Sequence, residues 1–153
     1  MTGKILKILL AENAGDVLVA YPSAKLEAGK GIVGDRYYSA QGTFSEKLKG
    51  SPASEVTLID QQHIDTFNST TGLNYSNADF RRNIVTDNID LNALVDKEFR
   101  IGNTRLKGII LCEPCAYLAK ILGQEVMIHM THKAGLRAQI ISSGTIYLAD
   151  MIS

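Results

Sequence analysis

The chain is 153 residues long and 45% apolar, with 16 basic and 16 acidic residues and a formal net charge of zero. That length suits one packed domain, expected over residues 1–153, and the balanced charge leaves no global field to draw nucleic acid or anionic lipid. No window approaches the roughly 18 uninterrupted apolar residues of a membrane span; Met1 to Leu10 carries Lys4 and Lys7 and no cleavage pattern, so a cytoplasmic address is expected, with no nucleic-acid and no membrane partner.

In chain order, Lys4 to Leu10 alternates and then turns wholly apolar, the pattern of a strand buried on both faces. Tyr21-Pro22-Ser23 reads as a turn and Lys25 to Ala28 as a strand, followed by a segment punctuated by Gly29, Gly31 and Gly34. Gln41 to Pro52 is polar and reads as a mobile surface loop. Glu55 to Ile59 then predicts a strand. Asp60 is placed to cap a helix running to about Asn68, with Ile64 and Phe67 facing inward and Gly72 beyond its end.

Arg82 to Thr86 predicts a strand, Ile89 to Val95 a turn or one helical turn, and Phe99 to Gly102 a return to β structure. Thr104 to Leu111 is the clearest long strand and ends at Cys112. Leu118, Ile121 and Leu122 recur at helical spacing before Gly123, and a further helix spans about Gln124 to Thr131. Leu136 to Ser142 and Thr145 to Ala149, joined at Ser143-Gly144, read as a closing β-hairpin. About seven or eight short strands against three short helices favour a β-barrel with helical insertions over a regular βαβ sandwich.

The most chemically suggestive segment is Cys112-Glu113-Pro114-Cys115. Pro114 suits the first position of the helix that Leu118 continues, which would place Cys115 in the first turn. Amide hydrogens and the positive end of the helix dipole favour thiolate over thiol at such a place, suiting nucleophilic attack or ligation of a soft metal. Two other readings stay open: a pair of small buried apolar residues, or a thioredoxin-like redox pair without the βαβ context such pairs have. His63, His129 and His132 offer no partner set for structural zinc; His129 and His132 are spaced to share a helix face, and no role is assigned to them.

A second cluster is Phe80-Arg81-Arg82-Asn83, whose guanidinium forks and amide suit an anionic heterocycle. It reads equally as a charged strand edge, and on a strand only one of the two adjacent arginines would face a given site. In Gly31-Ile32-Val33-Gly34-Asp35-Arg36 the carboxylate could orient Arg36, although a structural turn explains the glycines as well.

Six segments in this order resemble the MOSC family, named for the C-terminal region of molybdenum-cofactor sulfurases. They are Gly31 to Arg36, Glu55 to Asp60, Phe80 to Thr86, Ile89 to Val95, Leu111 to Leu118 and Gly135 to Ala138. The resemblance implies a mainly β fold, a MOSC-like β-barrel with a few short helices, as a stand-alone member. It also implies a site for molybdenum cofactor (molybdopterin), an anionic pterin dithiolene. Cys115 looks like the family cysteine that ligates molybdenum or carries sulfane sulfur. Arg81 and Asn83 look like cofactor contacts, and Arg36 and Arg137 match other recurrent arginines. Neither a pyridoxal-phosphate desulfurase domain nor a ferredoxin domain is recognisable, so a cysteine desulfurase or an electron-transfer protein is expected to act in trans. The leading expectation is a reductase of N-hydroxylated small-molecule substrates. A sulfur carrier holding persulfide on Cys115 and a non-catalytic pterin-binding barrel are the alternatives.

Overall fold

In the computed structural model, which describes residues 2–153, the barrel closes on β1 (Gly3–Leu10). The start of β1 pairs with β11 (Met151–Ile152), and its other edge pairs antiparallel with β6 (Ile84–Asp87). From β11 the hydrogen-bonded order runs through β7 (Glu98–Ile101), β8 (Thr104–Leu111), β9 (Leu136–Ser142) and β5 (Val56–Asp60) back to β6, so seven strands form a closed ring. Closure leaves none of these seven as a free sheet edge. β2 (Val19–Tyr21) is appended to the last three residues of β1.

The apolar runs have a direct explanation in this ring. Alternate residues of a strand point to opposite faces, and β1, β5 and β6 bury both. Ile8, Leu58 and Ile84 belong to one core cluster, with Ile101, Leu106 and Leu136. Their neighbours Leu9, Ile59 and Val85 pack outward against three short helices. These are α1 (Gln61–Thr71), α2 (Ala116–Leu122) and α3 (Glu125–His129), which bring Phe67, Leu118 and Val126 to that second cluster. Phe67 meets Phe80 edge to face at 5.7 Å. Removing a buried aromatic ring of this kind costs about 3–5 kcal/mol.

β5 and β6 are the parallel pair, and α1 begins the crossover that such a pair requires. Asp60 caps α1 as the sequence predicts, accepting from the Gln62 amide at 2.9 Å, while the helix runs three residues past the expected end near Asn68, to Thr71, where Gly72 ends it in the left-handed region at φ 74°.

Three expectations are corrected. β9 and β10 (Gly144–Tyr147) do not form a hairpin: both edges of β9 are taken by β8 and β5, so β10 crosses to β3 (Ser23–Glu27), which also pairs with β4 (Gly31–Ile32). His129 and His132 do not share a helix face, because α3 ends at His129 and His132 takes a positive φ of 60°. Pro114 does not open α2, which begins at Ala116 with Cys115 as its N-cap in an extended conformation.

Glu55, immediately before β5, is a buried carboxylate. It accepts the amides of Gly29 (3.3 Å) and Ile140 (3.0 Å). Burial pushes its carboxyl above the ordinary value near 4.5, against the lowering effect of those two amides.

Candidate functional site

The site lies where the chain leaves β8 and crosses to α2. The Cys112 amide still pairs with the Gly135 carbonyl at 2.8 Å, which holds Cys112 at the barrel wall and buries it. The chain then runs through Glu113 and Pro114 to Cys115, whose carbonyl accepts the Ala119 amide at 2.9 Å. The Cys115 side chain makes no capping hydrogen bond and is half-buried. Its position at the end of a rigid strand–helix junction leaves the thiol facing a recess.

That recess, about 20 Å³, brings Cys115 together with Arg36, Arg81, Arg82 and Arg137. The sequence expectation that only one of Arg81 and Arg82 could face the site is corrected. β6 starts at Ile84, and Arg81 sits before it in the left-handed region (φ 63°), ending the short 3-10 turn Asn77–Phe80. Strand alternation therefore does not govern the pair. A non-glycine residue held at positive φ stores strain that concentrates at functional sites.

Each guanidinium is positioned differently. Arg36 donates through Nη1 to Asp35 at 3.0 Å and through Nη2 to the Arg81 carbonyl at 3.3 Å. Its plane lies 4.9 Å from the Tyr37 ring. Arg81 donates through Nη1 to the Asp16 carbonyl at 2.8 Å, while its buried Nη2 has no hydrogen-bond partner among the described residues. Arg82 is buried and donates through Nε to the Ala134 carbonyl at 2.8 Å. Arg137 lies over both Tyr37 (5.8 Å) and Phe44 (5.7 Å). Among the described residues, Arg81, Arg82 and Arg137 have no carboxylate partner. Three guanidiniums without counter-charge beside a thiol make a place suited to an anion.

Asn83 is set apart from these. It is 1% exposed and lines neither the recess nor the adjoining cleft. Its Oδ1 accepts from the Thr57 amide and hydroxyl at 3.2 and 3.1 Å, and its Nδ2 donates to the Leu9 carbonyl at 3.1 Å. This side chain stitches β5 to β1 next to the site.

A second space of about 260 Å³ opens beside the recess, and Phe44, Arg82, Arg137 and Cys115 line both. Its remaining walls include Lys47 and Leu48 on one side and Cys112, Glu113 and Pro114 on the other. Phe44 and Leu48 come from the segment expected to be a surface loop. It has no strand or helix between residues 41 and 51, yet both side chains are half-buried, with Phe44 edge-on to Tyr117 at 6.4 Å. Glu113 is bound to His132 at two points, accepting its backbone amide at 2.7 Å and meeting its Nδ1. Asn92 in turn donates to the His132 carbonyl at 2.7 Å.

Sequence reasoning missed Tyr37, Phe44, Lys47 and the Glu113–His132 link, and left open which of Arg81 and Arg82 faces the site, where both line the recess. An aromatic residue inside a polar stretch was the one available signal for Phe44. Among the described residues, no helix is long and apolar enough to cross a membrane, and no cluster of three metal-binding side chains occurs.

Comparison with known proteins bears on the fold and the family. No curated protein matches the chain. Among solved structures, the YuaD protein from Bacillus subtilis superposes with a TM-score of 0.83 at 15% identity, covering 99% of this chain and 94% of that one. YiiM from Geobacillus stearothermophilus gives 0.71 at 11% identity, over 97% and 72% of the two chains. YiiM from Escherichia coli gives 0.69 at 17%, over 100% and 69%. At these identities the likeness is one of fold. The MOSC domain family model matches residues 45–153, which spans β5 to β11, the Cys112–Cys115 junction and three of the four site arginines, and the chain belongs to the MOSC domain family.

Proposed function

We propose that this barrel binds molybdenum cofactor beside Cys115 and reduces N-hydroxylated small molecules. The observation that supports the reading is the half-buried Cys115 thiol sharing a recess with three guanidiniums that lack carboxylate partners. The residues present fit such a group. A thiolate is a soft donor suited to molybdenum, guanidinium forks suit phosphate oxygens, and the buried Arg81 Nη2 awaits an acceptor. The recess is too small for a pterin by itself, so the inner part of the adjoining cleft, beside Arg82 and Arg137, would have to take part, leaving the cleft's mouth at Lys47 and Glu113 open.

When bound, the cofactor supplies two-electron redox chemistry at the metal. The chain's own residues hold and orient. Cys115 anchors from a fixed junction, and Arg36 is pre-aimed by Asp35 and the Arg81 carbonyl. Tyr37 and Phe44 offer flat apolar faces. Reduction of an N-hydroxylated compound takes two electrons and two protons, breaks the N–O bond, and releases the amine or imine and water. The electrons come from a redox protein acting in trans.

Metal analysis of the chain purified from a cofactor-replete host tests the proposal. About one molybdenum per chain is expected, lost in Cys115→Ala; no metal, or equal metal in the variant, overturns it. A second reading, a sulfur carrier, is favoured by one observation: Cys112 and Cys115 line the same cleft beside arginines that would stabilise a persulfide anion. Mass spectrometry after incubation with a cysteine desulfurase and cysteine would then find one additional sulfur atom on Cys115.

A further inference from the structure

The cleft differs from the recess in its walls. Of the residues that line the recess alone, Arg36, Thr57 and Leu118 are buried and the space holds only about 20 Å³, whereas the cleft holds about 260 Å³ and is flanked by the exposed Lys47 and Glu113. It is therefore the side from which a reactant meets Cys115. Three cations, Lys47, Arg82 and Arg137, line it against one carboxylate, and the Glu113 carboxylate is already engaged by His132. Its uncharged walls are Phe44, Leu48, Leu111 and Pro114. A charge excess of this kind over low-dielectric walls raises the local concentration of anions.

Phe44 stands at the junction of the two spaces. Its ring is fixed edge-on to Tyr117 at 6.4 Å and under the Arg137 guanidinium at 5.7 Å. Its backbone is tied on both sides, the amide to the Tyr37 hydroxyl at 3.4 Å and the carbonyl to the Leu48 amide at 2.9 Å.

We infer that the cleft is the entry route by which small organic anions with a flat apolar body reach Cys115, and that Phe44 sets their size. The substrate class this names rests on the proposed role of Cys115 as the ligating or reacting group; the selectivity of access does not. An oxidised-nitrogen substrate carrying a carboxylate or phosphate is accordingly favoured over its neutral or cationic counterpart.

Alkylation of Cys115 tests access without any cofactor, using the full chain made in a cofactor-deficient host with Cys112→Ala. In the reaction the Cys115 sulfur bonds to the reagent's methylene as iodide leaves. The rate ratio of iodoacetate to iodoacetamide is expected to exceed that on free mercaptoethanol by about tenfold, and Lys47→Glu is expected to remove most of the excess. Bulky, neutral pyrenylmaleimide should react about tenfold faster in Phe44→Ala and more slowly in Phe44→Trp, with iodoacetamide changed by less than about twofold. Circular dichroism confirms that each variant is folded, and the opposite directions of the two Phe44 variants exclude general loosening. A charge ratio equal to that of mercaptoethanol, or a pyrenylmaleimide rate indifferent to residue 44, overturns the inference. Selective access without bound molybdenum in the replete host would defeat the proposed function alone; bound molybdenum without selective access would defeat this inference alone.

Discussion

Asp35 and Arg36 form an ion pair at 3.0 Å in which neither side chain retains more than 4% of its exposure. Adjacent residues do not ordinarily meet in this way. The contact exists because the Asp35 carboxylate also accepts the amides of Ala11 and Tyr37, each at 3.2 Å, which holds it beneath the guanidinium. Asp35 thus positions Arg36 and neutralises one of the four site charges, leaving the other three for a ligand. Asp35→Ala is expected to cost about 3–5 kcal/mol in denaturant unfolding, because it strands a buried guanidinium. A loss below about 1 kcal/mol would mean that Arg36 relaxes to solvent.

Asn83 separates a structural role from a ligand-binding one. Asn83→Ala leaves the Thr57 amide and the Leu9 carbonyl each without this partner inside the barrel wall. The expected loss is about 2–4 kcal/mol of stability. Molybdenum content per folded chain should be unchanged, since Asn83 lines neither space. Metal loss with normal stability would instead place Asn83 among the ligand contacts.

Glu55 gives a pH dependence with a definite sign. Burial raises its carboxyl above the ordinary value near 4.5, so the folded chain binds that proton more tightly than the unfolded chain. The contribution to stability is fully present below the unfolded value and is lost as pH rises through the raised folded value. Glu55→Gln keeps an acceptor for the Gly29 and Ile140 amides but does not ionise. Its unfolding midpoint relative to the native chain should climb as pH rises from 4 towards neutrality and then level off. Parallel curves for the two proteins would contradict this.

Gly135 couples backbone packing to the site. Its φ is 118°, and an added Cβ would stand 2.3 Å from the Leu58 carbonyl and 3.5 Å from the Arg82 Nε. Gly135 also carries the carbonyl that pairs with Cys112, and the preceding carbonyl holds Arg82. Gly135→Ala is expected to destabilise the chain by more than about 2 kcal/mol and to weaken metal retention in whatever fraction folds. Unaltered stability would show that β5 and β9 can part there without cost.

Much of this architecture was legible in the residues. The two-faced burial of β1 follows from Lys4 to Leu10, the start of α1 from Asp60, and the strand–helix junction from Thr104 to Leu122. These are local signals, because side-chain periodicity and capping act within a few residues. Six ordered segments also carried the family.

What only the tertiary structure decided is non-local. Whether β10 joins β9 or β3 depends on which edges of β9 remain free, and closure of the ring depends on two residues of β11 meeting the start of β1. Arg81 and Arg82 face one recess because a left-handed residue interrupts the approach to β6, a conformation that no alternation rule anticipates. Phe44 turns inward because Tyr37, Tyr117 and Arg137, from three separate parts of the chain, are there to receive it. Sequence by itself determined most of the longer elements and where Cys115 stands between a strand and a helix; the fold decided which charges gather around it, because that depends on contacts between residues far apart in the chain.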